Sequence, residues 1–222
     1  MTHARVVSVN LAVVRAESWA GDKGRTGIDK RPTTERATAR RLGMDGDTIC
    51  DTKNHGGVHQ ALYAYAAEDA AWWANALSRD VVPGNFGENL TTEGIDLTNA
   101  VIGERWAVGD AVLEVSVPRI PCRVFAGFWD VKDLIKRFTA RAHPGAYLRV
   151  LTEGTIGAGD PIEVVHRPAH GVTIGEVFRA LTTESELLPR LLDAPELPEE
   201  TLEGVRRRLG LTTAASDTPS HL

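Results

Sequence analysis

The sequence predicts a mainly β protein with additional helices: a β-barrel core decorated by helices, followed by a small C-terminal three-helix subdomain. Two observations support this fold class. Short segments of alternating apolar and polar residues recur between glycine-rich turns, a pattern typical of barrel strands. After Pro168 the apolar residues change to helical spacing. We therefore expect a barrel domain over residues 1–168, helices over 169–210 and a disordered tail over 211–222.

The predicted strands begin near the N-terminus. Alternation gives the first strand one apolar face, formed by Val7, Val9, Leu11 and Val13. The segment 19–32, rich in Gly, Asp and Lys, then predicts a loop, and 61–65 predicts a short strand. A glycine-rich loop over 82–89 leads into the next strand. Two later Gly-Asp turns each lead into an alternating strand, over 109–115 and 159–165.

Two helices are predicted within the barrel domain. The first, over 68–77, has acids in its first turn and offers Trp72 and Trp73 for packing. The second is expected to begin near Asp130, which is a reasonable N-cap. Its apolar stripe consists of Val131, Leu134, Ile135 and Phe138.

Three helices are predicted after Pro168. Thr173 and Glu176 form a capping box at the start of the first. A leucine-rich segment over 187–192 predicts the second. The third follows Pro198, with acids in its first turn and arginines in its last, as the helix dipole favours.

Composition and charge restrict the class of protein. Hydrophobic residues make up 42% and charged residues 25% of the 222-residue chain, as in soluble globular proteins. No apolar run approaches the ~20 residues of a membrane span, and the N-terminus lacks the apolar core of a signal peptide. The net charge of −5 argues against binding to a nucleic-acid polymer or an anionic membrane. With only Cys50 and Cys122 present, a reducing compartment, the cytoplasm, is expected.

A cationic segment over 21–42 stands out in this acidic chain. It holds seven Lys or Arg residues against three Asp or Glu residues. Small, hydroxyl-bearing and cationic residues that suit a phosphate group lie close together within it: Arg25, Thr26, Gly27 and Lys30. The glycine spacing is not that of a Walker motif. The segment therefore predicts either a site for a small anionic ligand or a solvated loop.

Cys122 is presented by a stiff Pro-Arg-Ile-Pro turn that ends a predicted strand. It lies between Arg119 and Arg123, and nearby positive charge favours the thiolate form. A thiolate attacks electrophiles or ligates a soft metal. The alternative, a small buried hydrophobic residue, stays open at this point.

Polar residues on two glycine-rich loops are further candidates: Asn54, His55 and Asn89. His55 could donate a hydrogen bond, act as an acid or base, or bind a metal, but an isolated histidine is more often simply a polar residue with satisfied hydrogen bonds. No partner lies at a zinc-site spacing, so zinc is not expected. Asn89 could bond a polar heterocycle or its own backbone.

Taken together, the motifs resemble the MOSC-domain family, specifically its YiiM-like branch with a C-terminal three-helix extension. The resemblance runs from about residue 6 to residue 209 and depends on the shared order of short motifs. These are Thr-Gly-Ile-Asp-Lys (26–30), Gly-Met-Asp-Gly-Asp (43–47), Asn-His-Gly-Gly (54–57), Ala-Leu-Tyr-Ala-Tyr (61–65), Phe-Gly-Glu-Asn-Leu (86–90), Ile-Gly-Glu-Arg (102–105) and Pro-Arg-Ile-Pro-Cys (118–122). Arg123 and His59 depart from the residues that many relatives have at these positions, which bears on substrate preference.

The resemblance implies a MOSC-type barrel and a molybdenum cofactor (molybdopterin) whose metal is ligated by Cys122. The implied cofactor-binding residues are Arg25, Thr26, Gly27, Lys30, Asn54, His55, Asn89, Arg119 and Cys122. Members of the family reduce N-hydroxylated compounds, such as hydroxylaminopurines, hydroxylamines and amidoximes. This implies a detoxifying oxidoreductase that needs no pyridoxal phosphate. Electrons would come from a separate flavin or iron–sulfur protein, and a homodimer is left open.

Two other functions remain open from the sequence. The first is a sulfur carrier or transferase that uses a Cys122 persulfide. The second is a non-catalytic protein that binds and delivers the cofactor. Molybdenum analysis separates the reductase from the sulfur carrier, and turnover of an N-hydroxylated purine separates it from the delivery protein.

Overall fold

The structure, a computed structural model, describes residues 3–21, 24–52 and 55–211. Its strands, in chain order, are β1 (Arg5–Ala12), β2 (Arg15–Ala16), β3 (Arg25–Thr26), β4 (Lys30–Thr33), β5 (Ala37–Arg40), β6 (Gly43–Met44), β7 (Leu62–Ala66), β8 (Leu90–Glu93), β9 (Arg105–Val108), β10 (Ala111–Pro118), β11 (Ala146–Thr152), β12 (Gly154–Ile156) and β13 (Ile162–His166). Residues 212–222, most of the predicted tail, lie outside the described residues.

The main sheet has eight strands in the order β13-β9-β10-β11-β7-β8-β1-β4. Its neighbouring strands are antiparallel except for the β7–β8 pair. Backbone hydrogen bonds from Val6 N to Asp160 O (2.9 Å), Gly159 N to Val6 O (2.8 Å) and Ile162 N to Ala4 O (2.9 Å) join β1 to the start of β13. The sheet therefore curls so that β1, which lies next to the edge strand β4, meets the start of β13 at the opposite edge. The prediction of a mainly β fold with helices is confirmed.

The helices are α1 (Ala67–Leu77), α2 (Arg123–Trp129), α3 (Leu134–Arg141), α4 (Ile174–Thr182) and α5 (Glu199–Arg208). Among the described residues, Val58–Gln60 forms a short 3₁₀ turn and the leucine-rich segment Ser185–Asp193 is also 3₁₀-helical. The predicted cap of α4 is present, because Thr173 Oγ1 accepts a hydrogen bond from Glu176 N (3.2 Å). No helix among the described residues is long and apolar enough to cross a membrane.

The structure corrects the prediction of a helix that begins near Asp130. Asp130 instead ends α2, in a left-handed conformation with φ 48°, and α3 begins only at Leu134. α2 itself was missed, although its buried Phe125 and Trp129 lie four residues apart on one helix face. The buried face of α3 also differs from the predicted apolar stripe, because Ile135 is exposed whereas Phe138 is buried.

The N-terminal strand and the loop after it also differ from expectation. A bulge between Val6 and Ser8 shifts the alternation, so that Val6 and Val9 are buried and Val13 is 39% exposed. A bulge adds one residue to a strand and so reverses which face the following side chains occupy. The predicted loop 19–32 contains β3 and the start of β4. Because β4 is an edge strand, it tolerates Pro32 within it.

Two apolar clusters hold these elements together. The larger one joins sheet residues to residues of the C-terminal helices, among them Ile174, Val177, Leu191, Leu202 and Val205. The second is aromatic and joins β7, α1, α2, α3 and α4 through Tyr65, Trp73, Phe125, Phe138 and Phe178. The aromatic cluster fixes α2, and α2 begins immediately after Cys122.

Candidate functional site

A single cleft of about 790 Å³, measured to its open mouth, contains most of the predicted site residues. The described candidates all line it: Arg25, Thr26, Gly27, Lys30, His55, Asn89, Arg119 and Cys122. Asn54 lies outside the described residues. The fold therefore brings together residues from loops that are far apart in sequence, while their roles as cofactor ligands stay predictions.

Cys122 has a thiol that ionises easily. It occupies the position before the first turn of α2. Burial raises the pKa of this thiol, but a hydrogen bond with His55, the charge of Arg119 and the nearby backbone N–H of Phe125 together lower the pKa to about 7. The lowered pKa favours the thiolate, which is the form that ligates a soft metal or attacks an electrophile.

Arg119 is a buried cation beside this thiol. The residue is only 5% exposed, and its guanidinium carbon lies 4.0 Å from the Phe125 ring centroid and 5.4 Å from that of Tyr63. It forms no ion pair with an acid among the described residues, and its Nη1 has no hydrogen-bond partner there. Buried charges are normally paired, so Arg119 favours a negative charge in the cleft. The Cys122 thiolate provides one such charge.

Lys30, unlike Arg119, already has an acidic partner, so its charge is not available to a ligand in the cleft. Its ammonium forms a buried ion pair with Asp47, which also accepts hydrogen bonds from Ala12 N (2.8 Å) and Asn89 Nδ2 (2.8 Å). Burial lowers the pKa of Lys30, although Asp47 opposes the shift. Burial alone would raise the pKa of Asp47, but Lys30 and its other donors lower it. This geometry favours a role for Lys30 in holding the wall of the cleft.

Asn89 also bonds within the chain. Its side-chain oxygen accepts from Tyr63 N (3.2 Å), and its amide nitrogen donates to Asp47 and to Asn10 O (3.4 Å). These contacts tie β1, β7 and the start of β8 together. The sequence left open whether Asn89 bonds a heterocycle or its own backbone, and in this structure its side chain bonds Tyr63, Asn10 and Asp47 instead.

The charges of the cationic segment are largely paired. Acids balance three of its arginines, in the pairs Arg31–Asp29 (2.9 Å), Arg36–Asp160 (2.9 Å) and Arg40–Asp45 (2.9 Å). Arg25, by contrast, is exposed at the cleft and forms no ion pair within the part of the chain that the structure describes. Of the segment's described cations that line the cleft, Arg25 is therefore the one available to an anionic ligand.

Thr26 and Gly27 shape the wall beside Arg25. Thr26 Oγ1 accepts a hydrogen bond from Ile28 N (3.1 Å), which closes a tight turn. A Cβ atom at Gly27 would lie 2.2 Å from Thr48 O, so a larger residue would push the two loops apart. The glycine thus allows the loops that carry Arg25 and Thr48 to meet.

The structure adds lining residues that the sequence did not single out, notably Gln60, Tyr63, Tyr147 and Cys50. Tyr63 and Tyr147 are paired across β7 and β11, with ring centroids 5.1 Å apart. Burial raises the pKa of both hydroxyls, so they stay protonated. Tyr63 lies within the short strand predicted over 61–65, whereas no local pattern pointed to Gln60.

The fold and the site define the class: a mainly β domain with an open cleft, in which a cysteine with a lowered pKa lies at the start of a short helix beside a buried arginine. The family model of the MOSC domain matches residues 51–163. The chain belongs to the MOSC domain family.

Curated relatives agree with this assignment. The chain is 36% identical to an uncharacterized protein YflK of Bacillus subtilis over 169 residues, which is 76% of each chain. It is 30% identical to Protein YiiM of Escherichia coli over 173 residues, covering 75% of this chain and 77% of the relative. It is also 31% identical to a protein named Reductase from Gibberella moniliformis, of which it covers only 28%.

Solved structures give the same result. YiiM from Geobacillus stearothermophilus superposes with a TM-score of 0.77 at 26% identity, covering 93% of this chain and 99% of that one. YiiM from Escherichia coli superposes with a TM-score of 0.72 at 25% identity, covering 97% and 98%. The resemblance to the YiiM-like branch is confirmed.

Proposed function

We propose that the protein is a molybdenum cofactor-dependent reductase of N-hydroxylated compounds, in which Cys122 ligates the molybdenum. The observation that carries this proposal is the Cys122 thiol, with a pKa of about 7, beside the buried Arg119, whose Nη1 has no hydrogen-bond partner among the described residues. Membership of the MOSC family and the relative named a reductase support it. The substrates we propose are hydroxylaminopurines, hydroxylamines and amidoximes.

The residues of the cleft fit such a cofactor. A thiolate suits a soft metal centre, and the unpaired Nη1 of Arg119 suits an acceptor or anionic group of the ligand. Arg25, exposed at the cleft, suits the phosphate of the pterin tail. When bound, the cofactor supplies a metal centre that passes two electrons to the N–O bond of the substrate.

The chain's own residues prepare the site for this chemistry. The positive charge of Arg119 and the hydrogen bond with His55 lower the pKa of Cys122 and so favour its thiolate form. The aromatic residues Tyr63, Phe86 and Tyr147 line the cleft and reduce the space open to water. Overall, R–NHOH takes up two electrons and two protons and gives R–NH₂ and water.

The electrons are proposed to come from a separate flavin or iron–sulfur protein. With two cysteines in the chain, there are too few thiolates for a four-cysteine iron–sulfur cluster. Two cysteines, both free, also suit a reducing compartment such as the cytoplasm.

The test is molybdenum and pterin analysis of the full chain purified from a host that makes the cofactor, followed by turnover of an N-hydroxylated purine with a chemical electron donor. We expect stoichiometric molybdenum and reduction to the amine. Protein without molybdenum would contradict the proposal and favour a sulfur carrier. Bound cofactor without turnover would favour a delivery protein.

A further inference from the structure

Two buried polar atoms of cleft-lining residues have no hydrogen-bond partner among the residues that the structure describes. One is Nη1 of Arg119, and the other is Oε1 of Gln60. In folded proteins nearly all buried polar atoms are bonded, so each unpaired one requires an explanation. Because both residues line the same cleft, a ligand bound there would provide the missing partners.

The position of Gln60 is fixed by its surroundings. It ends the 3₁₀ turn Val58–Gln60, and its backbone N donates to Gly57 O (3.1 Å). The preceding side chain anchors the turn, because His59 Nδ1 lies 3.2 Å from Oγ of the buried Ser116. The following residue, Ala61, is buried in the main core. Gln60 is therefore held at the cleft before any ligand arrives.

The chemistry of the two atoms defines what they recognise. An amide oxygen only accepts, so the partner of Gln60 must be an N–H or O–H group. A guanidinium only donates, so the partner of Arg119 must be an acceptor or an anion. A pterin ring has N–H groups on the same edge as a carbonyl oxygen. It is also flat, which suits a cleft lined by Tyr63, Phe86 and Tyr147.

We propose that Gln60 binds the pterin ring of the cofactor by accepting a hydrogen bond from one of its N–H groups. This inference rests on the proposed function and adds to it a residue outside the motifs that indicate the cofactor. It assigns Gln60 a binding role, separate from the metal ligand Cys122.

The test compares Gln60→Met, which keeps the side-chain length but removes the amide, with Gln60→Asn, which shortens it by one methylene group. Asn75→Leu, at an exposed amide on α1, is the matched control. The measurements are pterin per chain, read as fluorescence after oxidation, the rate of pterin loss during dialysis, and the melting temperature of the cofactor-free protein.

For Gln60→Met we expect pterin to be lost about tenfold faster, because the ring N–H is left without its acceptor. The rate of pterin loss from Gln60→Asn should lie between the rates for Gln60→Met and the wild type, and the rate for Asn75→Leu should equal that of the wild type. The cofactor-free Gln60→Met protein should melt at the same temperature or higher, because an unpaired buried acceptor has been removed.

Equal pterin retention in Gln60→Met and wild type would overturn the inference while leaving the proposed function intact. A lower melting temperature of cofactor-free Gln60→Met would also overturn it, because the amide would then bond within the protein. A wild-type protein without any pterin is a different result, since it contradicts the proposed function itself.

Discussion

At the scale of single residues, Lys30 and Arg25 carry the same charge in the same segment but have different surroundings. Lys30 is buried against Asp47, whereas Arg25 is exposed at the cleft and pairs with no acid among the described residues. Asp47, the partner of Lys30, lies 17 residues after Lys30 in the chain. The sequence shows the charges but not which of them the fold pairs, because the pairing depends on how β4 and the loop after β6 meet.

This difference predicts opposite outcomes for two matched substitutions. Lys30→Met leaves Asp47 buried without its cation, so we expect a loss of stability of about 3–5 kcal/mol. Arg25→Met should leave the stability of the cofactor-free protein unchanged and lower its molybdenum content after expression in a cofactor-producing host. Urea unfolding and metal analysis measure the two effects. A stable Lys30→Met protein that binds little cofactor would assign Lys30 to the phosphate instead.

The pKa of Cys122 predicts how its reactivity depends on pH. In cofactor-free Cys50→Ser protein, where only Cys122 can react, the alkylation rate by iodoacetamide should rise with pH to a midpoint near pH 7, because the thiolate is the reacting form. Replacing Arg119 by Met removes a cation that favours the thiolate, so the midpoint should move to higher pH. An alkylation rate that does not change between pH 6 and 8 would contradict the pKa.

At the scale of elements, α2 shows where local patterns are ambiguous. Asp130 suits an N-cap by residue type, but an aspartate also tolerates the left-handed conformation that ends a helix. The residue type alone therefore does not show whether Asp130 begins a helix or ends one. The capping box at Thr173 was predicted correctly, because it specifies two residues at a fixed spacing and not one.

The C-terminal helices contribute to the same core as the sheet. Phe178 of α4 is fully buried in the aromatic cluster, with its ring centroid 6.5 Å from that of Phe138 in α3. We predict that Phe178→Ala lowers the free energy of unfolding by about 3–5 kcal/mol. Leu211→Ala is the control, because Leu211 is 57% exposed and its loss should change little. Equal stability of the two variants in urea unfolding would show that the helices fold apart from the sheet.

At the scale of the whole molecule, the sequence predicted the class of fold and eight of the residues that line the cleft. Short motifs singled out His55, Arg119 and Cys122 without any structure, and the cationic segment singled out Arg25. The sequence could not show that Lys30 and Asn89 bond within the protein, because a residue that binds a ligand and a residue that joins two parts of the fold are of the same types. Gln60 could not be found either, because its significance lies in a missing partner and not in a pattern.

The central claim, that Cys122 is the metal ligand of a reductase, is tested most directly by Cys122→Ser. The matched control is Cys50→Ser, which makes the same change of sulfur to oxygen at another residue lining the cleft. Both proteins are purified from a cofactor-producing host and assayed for reduction of an N-hydroxylated purine with a chemical donor. We predict that Cys122→Ser keeps the wild-type melting temperature and loses turnover, while Cys50→Ser stays active. Full turnover by the Cys122→Ser protein would contradict the account.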